Sequence, residues 1–213
     1  MEELDKLKND WKKSAGNYPK FSEKEIYAML HKRSSSIVKW ILIISVLEFV
    51  FWLGLSFLMK DSPSTKRVED LDVDYIYIPM SIISYVIIIY FFILFYRNYK
   101  KINATDNAKT LMSNILKTRK AVSNYIFVNI TYIIISSLIM FALFFCYDAN
   151  LIEALHQSEK QGNTGEFYLI YIGSTLIFLS FFIFVIWLFY RLIYGILLKR
   201  LKNNYEELKK LDF

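Results

Sequence analysis

Hydrophobic and polar positions alternate along this chain in long blocks rather than at the short spacings of a soluble core. Four runs are almost wholly apolar: 40–59, 75–96, 125–147 and 167–190. Each holds about 20 residues, which at 1.5 Å per residue matches the ~30 Å hydrocarbon layer of a bilayer. The expectation is an all-α fold, a polytopic bundle of four transmembrane helices over 37–198. Its spans are 37–59, 75–96, 125–147 and 167–190. The second and third are prolonged into a helical hairpin over 97–124, and 199–213 forms a charged tail.

The polar blocks predict further helices. Over 2–14, Leu4, Leu7 and Trp11 recur at spacings of three and four, with acids leading and lysines trailing as the helix dipole prefers. Gly16, Asn17 and Pro19 then predict a turn. Ser22 and Glu25 match a capping box, and Phe21 and Ile26 a hydrophobic staple, so a second helix is expected to start at Ser22. It carries Ile26, Met29 and Leu30 on an apolar face and leads through HKRSSS into the first span, one continuous helix being an option. Residues 1–36 thus read as an amphipathic arm, which either lies on the headgroups as an interfacial helix pair, docks a cytoplasmic partner, or folds back on the 97–124 hairpin. In the hairpin, a break at 103–106 precedes a helix with Leu111, Ile115 and Val122 on one side.

Charge orients this architecture. Lysines and arginines number 22 in the segments before the first span, between the second and third, and after the fourth, against 4 in the two remaining loops. The positive-inside rule therefore places both termini and the 97–124 hairpin in the cytoplasm of an inner-membrane protein. The net charge of +6 is then a matter of topology rather than nucleic-acid binding. MEELDKLKNDWKK lacks the apolar core of a secretory signal, so the first span is expected to persist as an anchor. The single cysteine, Cys146, excludes a disulfide within the chain. Tyrosines and tryptophans near the run ends, among them Trp40, Tyr75, Tyr77, Tyr96, Tyr125, Tyr147, Tyr168 and Tyr190, read as an aromatic belt at the headgroups.

One residue inside the spans calls for chemistry. Glu48 lies mid-run, where an ionised carboxylate costs about 2.5–3.5 kcal/mol on insertion scales, so it should face the bundle interior. Ser45 and Trp52 share its helical face. Tyr77, Ser81, Ser84 and Tyr85 offer partners from the second span, and Asn129, Tyr132 and Ser136 form a polar stripe on the third. Ser174 and Thr175 are available on the fourth. Low dielectric disfavours the charged form, and two readings follow: a neutral carboxyl that binds helices together by hydrogen bonds, or a proton- or cation-coupled site. A transporter would usually add a second buried charge, a broken helix or an inverted repeat. His31 and His156, the two histidines, fall on opposite predicted sides and cannot share a metal. No phosphate loop, zinc motif or nucleophile elbow is present. No cofactor and no enzymatic activity are expected.

The order Leu4-Asp-Lys-Leu7-Lys8-Asn-Asp-Trp11, then a capped helix ending in His31-Lys-Arg-Ser-Ser-Ser36, then Leu47-Glu48-Phe49, resembles small four-helix inner-membrane proteins of flavobacteria and other Bacteroidota. Many of those are encoded beside sigma factors of the extracytoplasmic-function type. The resemblance implies a membrane-bound, anti-sigma-like regulator, although the His-x3-Cys-x2-Cys pattern of zinc anti-sigma factors is missing. The expected partners are the bilayer and a cytoplasmic protein such as a sigma factor, held by Leu4, Leu7, Trp11, Ile26, Met29 and Leu30. The alternatives are a structural subunit of a larger envelope complex or homo-oligomer, and a small proton-coupled transporter using Glu48.

Overall fold

The computed structural model describes residues 22–105 and 107–210. Six helices form among them: α1 (Glu23–Met59), α2 (Pro63–Glu69), α3 (Asp74–Asn103), α4 (Ala108–Tyr147), α5 (Ala149–Gln161) and α6 (Thr164–Lys210). Four of these, α1, α3, α4 and α6, are long and apolar enough to cross a membrane. They pack as a ring in which α1 neighbours α3 and α6, and α4 neighbours α3 and α6. Short connections make ring neighbours antiparallel, giving an up-down-up-down four-helix bundle.

The long helices outrun their apolar segments. At 47 residues α6 spans about 70 Å, roughly twice the hydrocarbon thickness. α1 runs unbroken from the capped start at Ser22 through HKRSSS to Met59. Both halves of the capping box are made: the Glu25 amide donates to Ser22 Oγ, and the Ser22 amide to the Glu25 carboxylate at 2.8 Å. The exposed Glu25 carboxyl is held below the usual carboxylate range, first by that backbone bond. At the hairpin, Asn107 caps α4.

Packing divides the bundle into two halves. Around the α3–α4 turn, the start of α1 and the end of α6, buried side chains recur at alternating spacings of three and four. On α4 these are Leu111, Ile115, Thr118, Val122 and Tyr125; on α6, Tyr190, Tyr194, Leu201, Asn204 and Leu208. Leu30, Ser34, Ile37 and Ile41 continue the stripe on α1, and Phe91, Phe95, Asn98 and Ile102 on α3. This is the seam of a coiled-coil-like bundle, in which knobs from each helix fill holes between residues of its neighbours. A polar rung crosses it, where buried Asn204 Nδ2 donates to buried Ser34 Oγ at 3.1 Å. α1 is tied to the hairpin by Tyr27 Oη donating to the Thr105 carbonyl, His31 Nε2 to the Ile102 carbonyl at 2.8 Å, and Ser35 Oγ to Asn103 Oδ1.

In the opposite half the four helices expose apolar side chains outward; Leu58 is 84% and Ile177 73% accessible. Such a surface is unfavourable in water and is what a lipid-facing helix presents. A small clasp closes this end. Leu71, Val73 and Leu143 form a second cluster with Ile76, Met140 and Phe144. Arg67, on α2, pairs with Asp148 through Nε at 2.5 Å. Asp148 also caps α5, accepting from the Leu151 amide. Both loop helices are absent from the expectation drawn from sequence, although their punctuation is present: Ser62-Pro63 before α2, Asp148 before α5, and Gly162 after it in the left-handed region at φ 76°.

Candidate functional site: a carboxyl and three tyrosines beneath a cavity

Glu48 sits where the packed half ends. It follows Ile41 and Ser45 along the inward stripe of α1, so helix periodicity alone turns it inward. α4 brings Tyr125, and α6 brings Tyr190 and Tyr194, one turn apart on the same face. All three hydroxyls donate to the carboxyl: Tyr125 to Oε2 at 2.7 Å, Tyr190 to Oε1, and Tyr194 to Oε2 at 3.4 Å. The rings pack edge to face, Tyr125 against Tyr190 and Tyr194 at centroid separations of 6.0 and 5.8 Å. Phe91 and Phe95 of α3 close on Tyr125 from the far side. Every long helix thus contributes to this layer.

The chemistry is that of an acceptor surrounded by donors. The two carboxyl oxygens offer about four lone-pair directions, and the three tyrosine hydroxyls together with the Trp52 indole converge on them. These bonds offset part of the cost of holding the carboxyl away from bulk water.

Above the layer, towards the clasp, the helices part around a cavity of about 460 Å³. Glu48 and Tyr190 form its floor. Of the polar residues singled out in the sequence, Trp52, Ser81, Ser84, Asn129, Tyr132 and Ser136 all line it, as do Tyr77 and Tyr85. Of these, Trp52 reaches the Glu48 carboxyl through its indole N–H; the hydroxyls and amides bond elsewhere. Asn129 donates to the Tyr125 carbonyl, Ser136 to the Ile133 carbonyl, and Tyr132 across the bundle to the Met80 carbonyl. Ser45 is buried and donates to the Leu42 carbonyl, and Ser174 turns back on the Tyr171 carbonyl. Among the described residues, no Lys, Arg or His lines the cavity, and no group of three or more His, Cys, Asp or Glu could hold a metal.

Two belt assignments need correction. Tyr125 and Tyr190 are 2% and 3% accessible; their hydroxyls go to Glu48, not to headgroups. Tyr194 was not among the sequence candidates. The findable signal is the three-and-four stripe, which carries all three tyrosines and Glu48 at inward positions. Trp40, Tyr75 and Tyr96 do stand exposed near run ends.

On the arm, Leu4, Leu7 and Trp11 lie outside the described residues. Leu30 is buried in the bundle core, Ile26 packs against that core, and Met29 is exposed. Two of these three side chains are therefore already engaged within the chain, because α1 continues straight into the bundle and its inward face is the arm's apolar face.

Residues 24–213 match the family model of a domain of unknown function, DUF8845. No curated protein and no solved structure matches the chain.

Proposed function

We propose that this chain, which belongs to the DUF8845 family, is a non-catalytic membrane regulator that links the state of its intramembrane cavity to a cytoplasmic partner. In this reading the four long helices span the inner membrane, with both termini and the packed half inside the cell. The charge asymmetry of the connecting segments supports that orientation. The partner is a cytoplasmic protein of the sigma-factor class, as the resemblance of residues 4–49 to anti-sigma-like proteins suggests. Leu4, Leu7 and Trp11 supply its grip together with the exposed Met29, since Ile26 and Leu30 serve the bundle.

The observation that carries this reading is the Glu48 layer. One carboxyl joins α1, α4 and α6 at the boundary between a cavity and a helical rod. A change at the cavity floor therefore bears on three helices that continue towards the arm. Such a junction is the kind of two-sided element a switch requires.

The test is co-purification of the full-length chain from its native membrane. A cytoplasmic sigma factor should be captured, capture should fail with Leu7→Asp plus Trp11→Asp, and Tyr190→Phe should change the amount captured. Equal capture by all three forms would refute the reading. Orientation is checked with membrane-impermeant maleimide on intact cells in a Cys146→Ser background. Lys160→Cys should label and Lys202→Cys should not; the reverse pattern would invert the topology.

A second reading, proton-coupled transport, is favoured by the same carboxyl opening on a cavity that carries hydroxyl and amide groups. Proton flux into liposomes that disappears in Glu48→Gln would establish it, and flux equal in both would discard it.

A further inference from the structure

We infer that the cavity above Glu48 is a binding site for a small organic cation with an apolar body. The inference takes the cavity to be the input side of the regulator proposed above and names what enters it. Three features agree. First, the floor carries a carboxyl ringed by donors, three tyrosine hydroxyls and the Trp52 indole, with no Lys, Arg or His lining the space among the described residues. An anion would gain nothing from that carboxyl, whereas a cation bound beside it favours the ionised form and is neutralised by it. Second, the walls are aromatic. Trp52, Tyr77, Tyr85, Tyr132, Phe182 and Tyr190 surround the space, and ring faces attract cations, most strongly where water is excluded. Third, about 460 Å³ lies within the ordinary range of small-ligand sites, about 300–1,000 Å³. It far exceeds a bare metal ion, and the hydroxyl and amide lining does not form a metal ligand cluster.

A hard inorganic cation fits poorly, because it needs six or more oxygens at close range and the side-chain oxygens here are spread around a wide space. An organic ammonium or phosphonium disperses its charge over an apolar body and suits aromatic walls with one carboxylate at the base. Such a cation can come from the lipid, as an ethanolamine headgroup, or from solution, as a free amphiphile.

The experiment uses the full-length protein in phosphatidylglycerol nanodiscs, with tritiated tetraphenylphosphonium as the probe and empty nanodiscs as the blank. Tetraphenylborate, of nearly the same shape and opposite charge, is the control. Saturable phosphonium binding is expected, at least tenfold weaker in Glu48→Gln and absent in Ser136→Phe, which fills the cavity but leaves the carboxyl in place. Each variant is first shown to elute and melt as a folded protein. Tetraphenylborate should not bind saturably. Phosphonium binding that is absent from the wild type, equal in both variants, or matched by the borate would overturn the inference. In the wild type, loss of phosphonium when phosphatidylethanolamine is added to the disc assigns the headgroup as the natural source, and undiminished binding assigns a free cation. Partner capture is read separately, so a failed cation test with intact capture removes the ligand class and leaves the regulator standing.

Discussion

Replacing Glu48 by leucine isolates the energetics of the tyrosine layer. The substitution removes the common acceptor of three hydroxyls while keeping the side chain's approximate volume. Tyr125 and Tyr190 donate at close range from positions almost without solvent access. A buried donor left without a partner costs about 1–3 kcal/mol, so these two together forfeit about 2–6 kcal/mol. Tyr194, at 3.4 Å, is at the edge of bonding distance and adds little. Removing the desolvated carboxyl offsets part of the loss, since buried ionic groups replaced with apolar ones are often tolerated when their partners go too.

That last point provides the decisive comparison. Glu48→Leu alone should be clearly destabilised. Glu48→Leu combined with Tyr125→Phe, Tyr190→Phe and Tyr194→Phe should recover most of the loss, because no donor is then stranded. The expected non-additivity is at least about 2 kcal/mol, well above the few tenths seen for independent sites. Unfolding of the purified chain by SDS in mixed micelles, followed by far-UV circular dichroism, measures it. A single Glu48→Leu variant within about 0.5 kcal/mol of the wild type would refute the claim that the tyrosines depend on the carboxyl. So would a quadruple variant equal to the sum of its parts.

Three further perturbations probe the rest of the frame. At the clasp, Asp148→Ala loses both the α5 cap and the Arg67 pair, and should cost about 1–2 kcal/mol, the cap dominating because Arg67 is half exposed; Asp148→Asn keeps the cap and should cost less. Arg67, helped by the Leu151 amide, holds the Asp148 carboxyl below the usual carboxylate range, so the clasp's contribution is complete above about pH 3.9 and is lost as pH falls through the lowered native value, a decline that acid titration of the melting temperature should show in the wild type and not in Asp148→Asn. Gly162→Ala, at φ 76°, should cost about 1 kcal/mol through left-handed strain, readable in the same unfolding assay. Ser34→Ala plus Asn204→Leu removes the buried rung together with the unpaired Asn204 Oδ1, and should raise stability by about 1–3 kcal/mol while loosening helix register, which cysteine cross-linking between α1 and α6 would detect.

The long helices were legible because their apolar runs are continuous and their ends carry punctuation, as at Ser22 and Glu25. Glu48 was legible for the opposite reason: a lone carboxyl in an apolar run must find partners inside the bundle. Its partners were hidden by the ambiguity of tyrosine. Near the end of an apolar run, a tyrosine reads equally well as a belt residue at the headgroups or as a hydrogen-bond donor in a core. Periodicity separates the two, since Tyr125 stands three residues after Val122 in the stripe from Leu111, and Tyr190 and Tyr194 continue through Leu201 to Leu208. Hydropathy blocks conceal that stripe, because it runs through polar segments in which only one residue in three or four is apolar. The short loop helices were missed because seven or thirteen residues with mixed charge give little periodic signal, and only their caps speak for them.

The placement of the cavity follows from the same stripe. In the packed half, inward positions are mostly aliphatics and aromatics, with Ser34, Asn98, Thr118 and Asn204 among them, and together they fill the seam from all four helices. Beyond Glu48 the inward residues become Trp52 on α1, Ser81 and Ser84 on α3, and Asn129, Tyr132 and Ser136 on α4. The small side chains of Ser81, Ser84 and Ser136 cannot fill the space that leucine-sized knobs fill below, and the large rings of Trp52 and Tyr132 form walls around it, so the helices stay in contact at the clasp and leave a cavity between. Ser81, Ser84 and Ser136, with the carboxyl beneath them, give this space the room and the hydrogen-bonding groups that the inferred occupant would use.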